Sequence, residues 1–238
     1  MKAIETTPKL VEQVYKVLLG EISGGNLQPG ARIIQEQLAK ELGVSRQPIQ
    51  QALALLRSQG VLIDAPGRGL LVAPLDPDYV RNMYDMRAVI EGLACRRAAE
   101  LSGKNAKVKG LALIKAGLKA VSNHSFREMI AADMAFHHYI YHLAENPLIP
   151  PAMESHWLNT QRVMGEVLKS EEQPRNVWSQ HEAMLEAIVE GDGEAAERMG
   201  REHITQAANF MIERLLENMA NSAAQEDAVK GKRKLMRA

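Results

Sequence analysis

Ten consecutive residues, Asp133-Met-Ala-Phe-His137-His138-Tyr-Ile-Tyr-His142, hold three of the chain's seven histidines together with an aspartate. Imidazole nitrogens and carboxylate oxygens ligate divalent metals, so the first question is which of these side chains share a helical face. On an α-helix, Ile130, Asp133, His137, Ile140 and Ala144 form one stripe that is apolar apart from Asp133 and His137. His138 and His142 make a second i, i+4 pair, about 100° round the helix. Spacing allows either pair to bind a metal, but only the first faces an expected core. Two later segments repeat the pattern. Val177, His181, Met184 and Ile188 share a stripe, as do Ala196, Met199, His203, Ala207 and Phe210. Burying such rings without partners costs about 1–3 kcal/mol each, and an unpaired carboxylate costs more. Two arrangements relieve that cost: hydrogen bonds within the core, or one cation shared by Asp133, His137, His181 and His203. An O/N₃ donor set suits zinc, nickel, manganese or iron, and leaves coordination positions open. His124, His138, His142 and His156 read as surface or hydrogen-bonding residues.

Arg87 shares a stripe with Val80, Met83, Ile90 and Ala94. A guanidinium on an apolar face needs an anion, supplied either by a neighbouring carboxylate or by a ligand. Asn159 and Arg162 are further candidates for lining the same cavity. The segments that must position these groups read as helices over 78–102, 105–122, 124–145, 148–170, 174–191 and 193–219. The breaks fall at Ser102-Gly-Lys-Asn105, Ser122-Asn123, Asn146-Pro147, Gln173-Pro174 and Gly191-Asp-Gly193.

The first 75 residues differ in kind. Leu10, Val14, Val17, Leu18 and Ile22 have helical period, and Ser23-Gly-Gly-Asn-Leu-Gln-Pro-Gly30 ends that helix. A second helix is expected near 35–42, stopped by Gly43. A third is expected near 46–59, with Ser45 at its N-cap. Two short apolar runs around Pro66-Gly-Arg-Gly69 read as a β-hairpin. Three helices and a hairpin make a winged helix-turn-helix, whose third helix can enter a DNA major groove. Ser45 and Arg46 lie where backbone amides and a guanidinium meet phosphate, and Arg68 at the hairpin tip can reach an adjacent groove. Taken singly, Ser45 also reads as a plain cap and Arg68 as a solvated turn residue.

The 238-residue chain has room for two ordinary domains. The expected organisation is a DNA-binding domain over 1–75, an all-helical domain over 78–220 and a basic, disordered tail over 221–238. The last eleven residues carry five basic side chains and no acid, although 29 basic and 29 acidic residues balance over the whole chain. No apolar run is long enough for a membrane span, and the first residues lack a signal-peptide core. The lone Cys95 excludes an intramolecular disulfide framework and suits a reducing cytoplasm.

The N-terminal segments Gln28-Pro-Gly-Ala-Arg-Ile33, Leu38-Ala-Lys-Glu-Leu-Gly-Val-Ser-Arg-Gln-Pro-Ile-Gln-Gln-Ala-Leu53, Leu56-Arg-Ser-Gln-Gly-Val-Leu62 and Pro66-Gly-Arg-Gly-Leu-Leu-Val72 resemble the GntR family of bacterial transcription regulators. The resemblance implies DNA contacts from Ser45, Arg46, Gln47, Gln50, Arg68 and Gly69. The family usually has arginine and glutamate where Gln50 and Gln51 stand. Glutamine can bond adenine in a bidentate fashion, so a different operator preference is implied.

The C-terminal part resembles the FCD ligand-binding domain of the FadR-type branch. The resemblance runs through Arg87-Ala-Val-Ile-Glu91, Asp133-Met-Ala-Phe-His137, Ala144-Glu-Asn-Pro-Leu148, Gln180-His181-Glu182 and His203. It implies a divalent metal, zinc foremost, on Asp133, His137, His181 and His203. It also implies a small carboxylate effector completing the coordination and held by Arg87. Gln180 stands where the family often has an acidic residue.

The expected fold is mainly α, a winged helix-turn-helix followed by an FCD-type bundle. The expected function is that of a homodimeric repressor on double-stranded operator DNA, responsive to a small organic acid, with residues 73–78 as the hinge. A metal-dependent hydrolase or lyase fused to a DNA-binding module is the alternative; no HExxH motif accompanies it.

Overall fold

The computed structural model describes residues 8–168 and 176–235, without the side chains of 8, 9, 155 and 222–235. The chain divides into two compact units, Met1–Leu75 and Asp76–Ala238.

In the first unit, α1 (Pro8–Ser23) packs on α3 (Arg46–Ser58), with α2 (Gln35–Leu42) beside it. Val14, Leu18 and Ile22 of α1 are buried, as are Ile49, Leu53 and Leu56 of α3. Gly43 adopts the left-handed conformation (φ +64°) that lets α2 end within one residue. Ser45 follows in extended conformation and begins α3. The hairpin strands are β2 (Leu62–Asp64) and β3 (Leu70–Val72). A further strand, β1 (Arg32–Ile33), pairs antiparallel with β3, so the sheet has three strands in the order β1-β3-β2. The sequence gives no notice of β1, because two residues show no period.

The second unit is all helical: α4 (Pro77–Ser122), α5 (Phe126–Leu143), α6 (Ile149–Val167), α7 (Val177–Glu190) and α8 (Gly193–Leu235). Asp76 caps α4 by accepting the Asp78 amide at 3.0 Å, and Pro77 occupies the first turn. α4 is the axle of this unit, with α5, α7 and α8 packed along it. It runs straight through Ser102-Gly-Lys-Asn105, where two helices are expected. Gly103 is there for proximity, since a Cβ on it would collide with the Ile188 carbonyl oxygen of α7. Gly110 and Gly117 repeat the device at seven-residue intervals, beneath Leu185 and the Trp178 indole. This glycine seam lets α7 lie close against α4. Gly103→Ala is therefore expected to lower the melting temperature by several degrees, despite alanine's helix preference of about 1 kcal/mol. Overpacking against a backbone carbonyl costs about 1–3 kcal/mol. Thermal unfolding followed by circular dichroism checks this.

α8 also departs from expectation. Its backbone stays helical to Leu235, through most of the segment expected as a disordered tail. Among the described residues, no helix is long and apolar enough to cross a membrane.

Candidate functional site

α5 presents Asp133 and His137 one turn apart on its buried face, α7 contributes His181, and α8 contributes His203. One ligand atom from each of the four lies within 4.8 Å of all the others, and all four residues are buried. His181 Nε2 is 3.1 Å from His203 Nε2 and 3.5 Å from Asp133 Oδ1, while His137 Nε2 is 3.9 Å from Asp133 Oδ1. The helical phase that puts each residue on an apolar stripe thus also aims it at a common point.

The outer sides of the rings fix their orientation. His137 Nδ1 meets Glu91 Oε2 at 3.0 Å, and His203 Nδ1 meets Gln180 Oε1 at 2.8 Å. Both partners are acceptors, so each Nδ1 carries the proton and each Nε2 turns a lone pair inward. His181 is held by stacking on Phe136, with ring centroids 4.4 Å apart, and by edge contact with Trp178 at 4.8 Å. His137 Nε2 is buried and has no hydrogen-bond partner among the described residues. An inward-facing nitrogen without a donor, two Nε2 atoms in contact and an adjacent carboxylate form a donor set that fits one divalent cation.

Electrostatics agree. Burial drives His181 well below the ordinary imidazole range, and the nearby charges of His203, His137 and Arg87 add to the effect. Burial, then His137 and Arg87, push His203 down to about 3. Both rings are neutral at pH 7 and ready to ligate. Burial raises the Asp133 carboxyl, with His137 and Arg87 pulling the other way. For a histidine depressed on folding, the unfolded chain binds more protons below pH 6.5, so stability falls as the medium is acidified. The metal-free protein is therefore expected to lose about 2–3 kcal/mol between pH 7 and 5.5 from these two rings. Asp133 acts with the opposite sign, its contribution falling as pH rises above the unfolded carboxyl range. Urea titrations at both pH values, with chelator present, measure the difference.

Arg87 has an internal partner for its charge. Its Nη2 pairs with Glu91 Oε1 at 3.2 Å, its Nη1 donates to Thr160 Oγ1 at 3.2 Å, and its Cζ lies 4.3 Å from the Trp157 ring centroid. The internal anion is therefore present. Arg87 nevertheless also lines a cavity of about 330 Å³ whose wall includes Asp133, His137 and His203, and its Nε has no described partner.

Glu91 is the hub, accepting also from the Tyr141 hydroxyl at 2.5 Å. Burial alone would raise its carboxyl. His137, Arg87 and Tyr141 outweigh that and hold it down to about 2, so it stays ionised. Its hub role has no independent signal in the sequence beyond its position one turn after Arg87. Tyr141, Thr160 and Gln180 carry still less.

Asn159 and Arg162 do not join this cavity. Both are buried on α6, where Arg162 Nη1 donates to Asn159 Oδ1 at 3.1 Å and Asn159 Nδ2 donates to the Tyr79 hydroxyl at 3.4 Å. α6 turns Met164 to the cavity instead, followed by Leu168 just beyond its end.

In the first unit, Ser45, Arg46, Gln47 and Gln50 are exposed at the start of α3. Ser45 makes no side-chain capping bond. Arg46 pairs with Glu36 of α2 at 2.8 Å, an exposed contact that a phosphate can displace. Arg68 is exposed between Gly67 (φ +90°) and Gly69 (φ +94°), backbone angles that suit only glycine. Arg32 of β1 braces this tip by donating to the Arg68 carbonyl at 2.7 Å, a positioning role that the missing β1 hid from the sequence.

Comparison with known proteins adds identity to geometry. Residues 10–72 match the model of bacterial regulatory proteins of the gntR family, and residues 82–206 match the FCD domain. The chain is 24% identical over 215 residues to the HTH-type transcriptional regulator YdfH of Escherichia coli O6:H1, covering 90% of this chain and 94% of that protein. It is 23% identical, with the same coverage, to the HTH-type transcriptional repressor RspR of E. coli K12. The solved structure of E. coli McbR/YncC superposes with a TM-score of 0.77 at 23% identity, over 87% of this chain and 98% of that one. The matched domains and relatives are transcription regulators, which sets aside the hydrolase or lyase alternative. The chain belongs to the GntR family of transcription regulators, with a winged helix-turn-helix followed by an FCD domain.

Proposed function

We propose that the protein is a homodimeric, cytoplasmic repressor whose hold on operator DNA is set by a small carboxylate bound beside a metal in the FCD domain. The observation that carries this is the convergence of Asp133, His137, His181 and His203 on one point in the wall of a cavity that Arg87 shares. Zinc is the cation the three imidazoles and one carboxylate favour, and when bound it supplies Lewis acidity and an open position for a carboxylate oxygen. The chain's own groups do the rest. Glu91 and Gln180 hold the His137 and His203 rings with their lone pairs inward. Arg87 offers positive charge to the anion from the same wall.

At the other end of the chain, exposed Arg46, Gln47 and Gln50 suit a major groove, Ser45 suits a phosphate, and Arg68 and Gly69 form a tip for an adjacent groove. A two-fold dimer would present two such heads to a palindromic operator, one helical turn apart. The effector can shift DNA affinity only by its differential affinity for the DNA-bound and free states. Repression rather than activation is supported by the relative named a transcriptional repressor.

The test is electrophoretic mobility shift on a palindromic fragment of the protein's own promoter, with zinc-loaded protein and candidate acids. Binding that one acid weakens at least tenfold is the expected result. Failure to bind such DNA at any salt concentration contradicts the reading.

A further inference from the structure

The wall of the cavity beside the candidate metal centre is made of two unlike groups of side chains. Arg87, Asp133, His137 and His203 make one of them. Met129, Met164, Leu168, Trp178, Phe210 and Met211 build most of the remaining wall. Tyr84, Asn176 and Gln206 add polar groups to the wall, while the Gln180 amide is engaged at both ends. Gln180 Nε2 donates to Gln206 Oε1 at 2.6 Å, and Gln180 Oε1 faces His203 Nδ1 at 2.8 Å. Among the described lining residues Arg87 is the single permanent cation, and Glu91 already shares its charge.

From this division we infer that the effector is a monocarboxylate with an apolar body, an alkanoic or arylalkanoic acid, and not a dicarboxylate or polyhydroxy acid. The inference rests on the effector-binding reading above and specifies its ligand. One carboxylate finds Arg87 and the metal ligands in the polar group. A second would leave water to meet thioethers, an indole and a phenyl ring, with no further cation among the described lining residues to offset its desolvation. Several hydroxyl groups along the ligand would likewise lose water against the methionine, leucine and aromatic side chains that build most of the wall. Apolar atoms gain instead, since each methylene buried against such a wall tightens binding about fourfold.

Size narrows the class. A cavity of about 330 Å³ lies at the small end of the range for ligand sites, which suits a small acid rather than a long-chain or multi-ring one. The three methionines can mould to either a chain or a ring. Gly117 leaves the space that the Trp178 indole occupies, which fixes part of the apolar wall.

Titration calorimetry of the zinc-loaded full-length protein with octanoate, 3-phenylpropanoate, acetate, succinate and gluconate tests the inference. Quenching of tryptophan emission serves as a second readout. Octanoate or 3-phenylpropanoate is expected to bind at least tenfold tighter than acetate, succinate or gluconate, and the winner tells chain from ring. Phe210 is only partly buried, so Phe210→Ala should fold. It is expected to weaken the preferred acid about fivefold and acetate less than twofold. Succinate or gluconate binding as tightly as the apolar acids overturns the inference and leaves the effector reading standing. So does a Phe210→Ala protein with unchanged preferences. If none of the five acids binds, the effector reading falls and takes this inference with it.

Discussion

His203→Ala is expected to lower zinc affinity by about 100-fold or more, and to abolish the effect of chelator on thermal stability. Loss of an outer partner to a ligating histidine already costs 10–100-fold, and His203 is placed as a direct ligand, its Nε2 3.1 Å from that of His181. In the native protein, zinc at about 100 times its dissociation constant adds about 2.7 kcal/mol of stability. For a domain of this size that is a rise in melting temperature of about 5–10 °C, which EDTA should reverse. In the variant the rise should vanish. Competition against a chromophoric chelator measures the affinity and differential scanning fluorimetry the shift. Unchanged zinc affinity in the variant would mean that the metal sits elsewhere.

The second large effect is expected at Glu91. Glu91→Gln keeps the shape of the side chain and removes its charge, leaving buried Arg87 without its anion. Breaking a buried ion pair from one side costs about 3–5 kcal/mol, or a fall of about 10 °C in melting temperature here. The same change weakens the acceptor that orients His137 at 3.0 Å, so zinc affinity should fall about 10–100-fold. The two consequences separate in a double variant. Arg87→Met with Glu91→Gln removes both charges and should recover most of the lost stability. It should not recover zinc affinity, because the His137 acceptor is still altered. Recovery of both together would show that Glu91 acts only through overall folding.

The contrast between Asp133 and Glu91 shows what the sequence could convey. Asp133, His137, His181 and His203 each interrupt an otherwise apolar helical stripe, and helical phase is a local property. Four such interruptions were therefore readable before any packing was known. Glu91 is invisible to the same reasoning, because its importance comes largely from His137 and Tyr141 on α5, forty-six and fifty residues away. The surroundings of Asn159 and Arg162 were unreadable for the same cause. Both are buried on α6, and the pairing of Asn159 with Tyr79 of α4 depends on the rotation of α6 about its axis, which no local pattern reports.

Helix boundaries depended on a similar ambiguity. Gly103 reads as a breaker when taken alone, yet it continues α4 because α7 needs the absent side chain's space. The seven-residue spacing of Gly103, Gly110 and Gly117 was in the sequence, but it acquires meaning only once a partner helix lies along it. The winged unit was legible almost entirely, since Gly43, Ser45 and the Pro66-Gly-Arg-Gly69 turn are local signals. Only β1 escaped, being two residues whose pairing with β3 is non-local.

The central claim is that one carboxylate and three imidazoles from α5, α7 and α8 hold a single divalent cation. X-ray absorption on the zinc-loaded protein tests it most directly. The account predicts one zinc per chain, with three imidazole nitrogens at about 2.0–2.1 Å, oxygen completing the shell and no sulfur. A shell with fewer than three imidazoles, or zinc that leaves the protein on gel filtration, would contradict it.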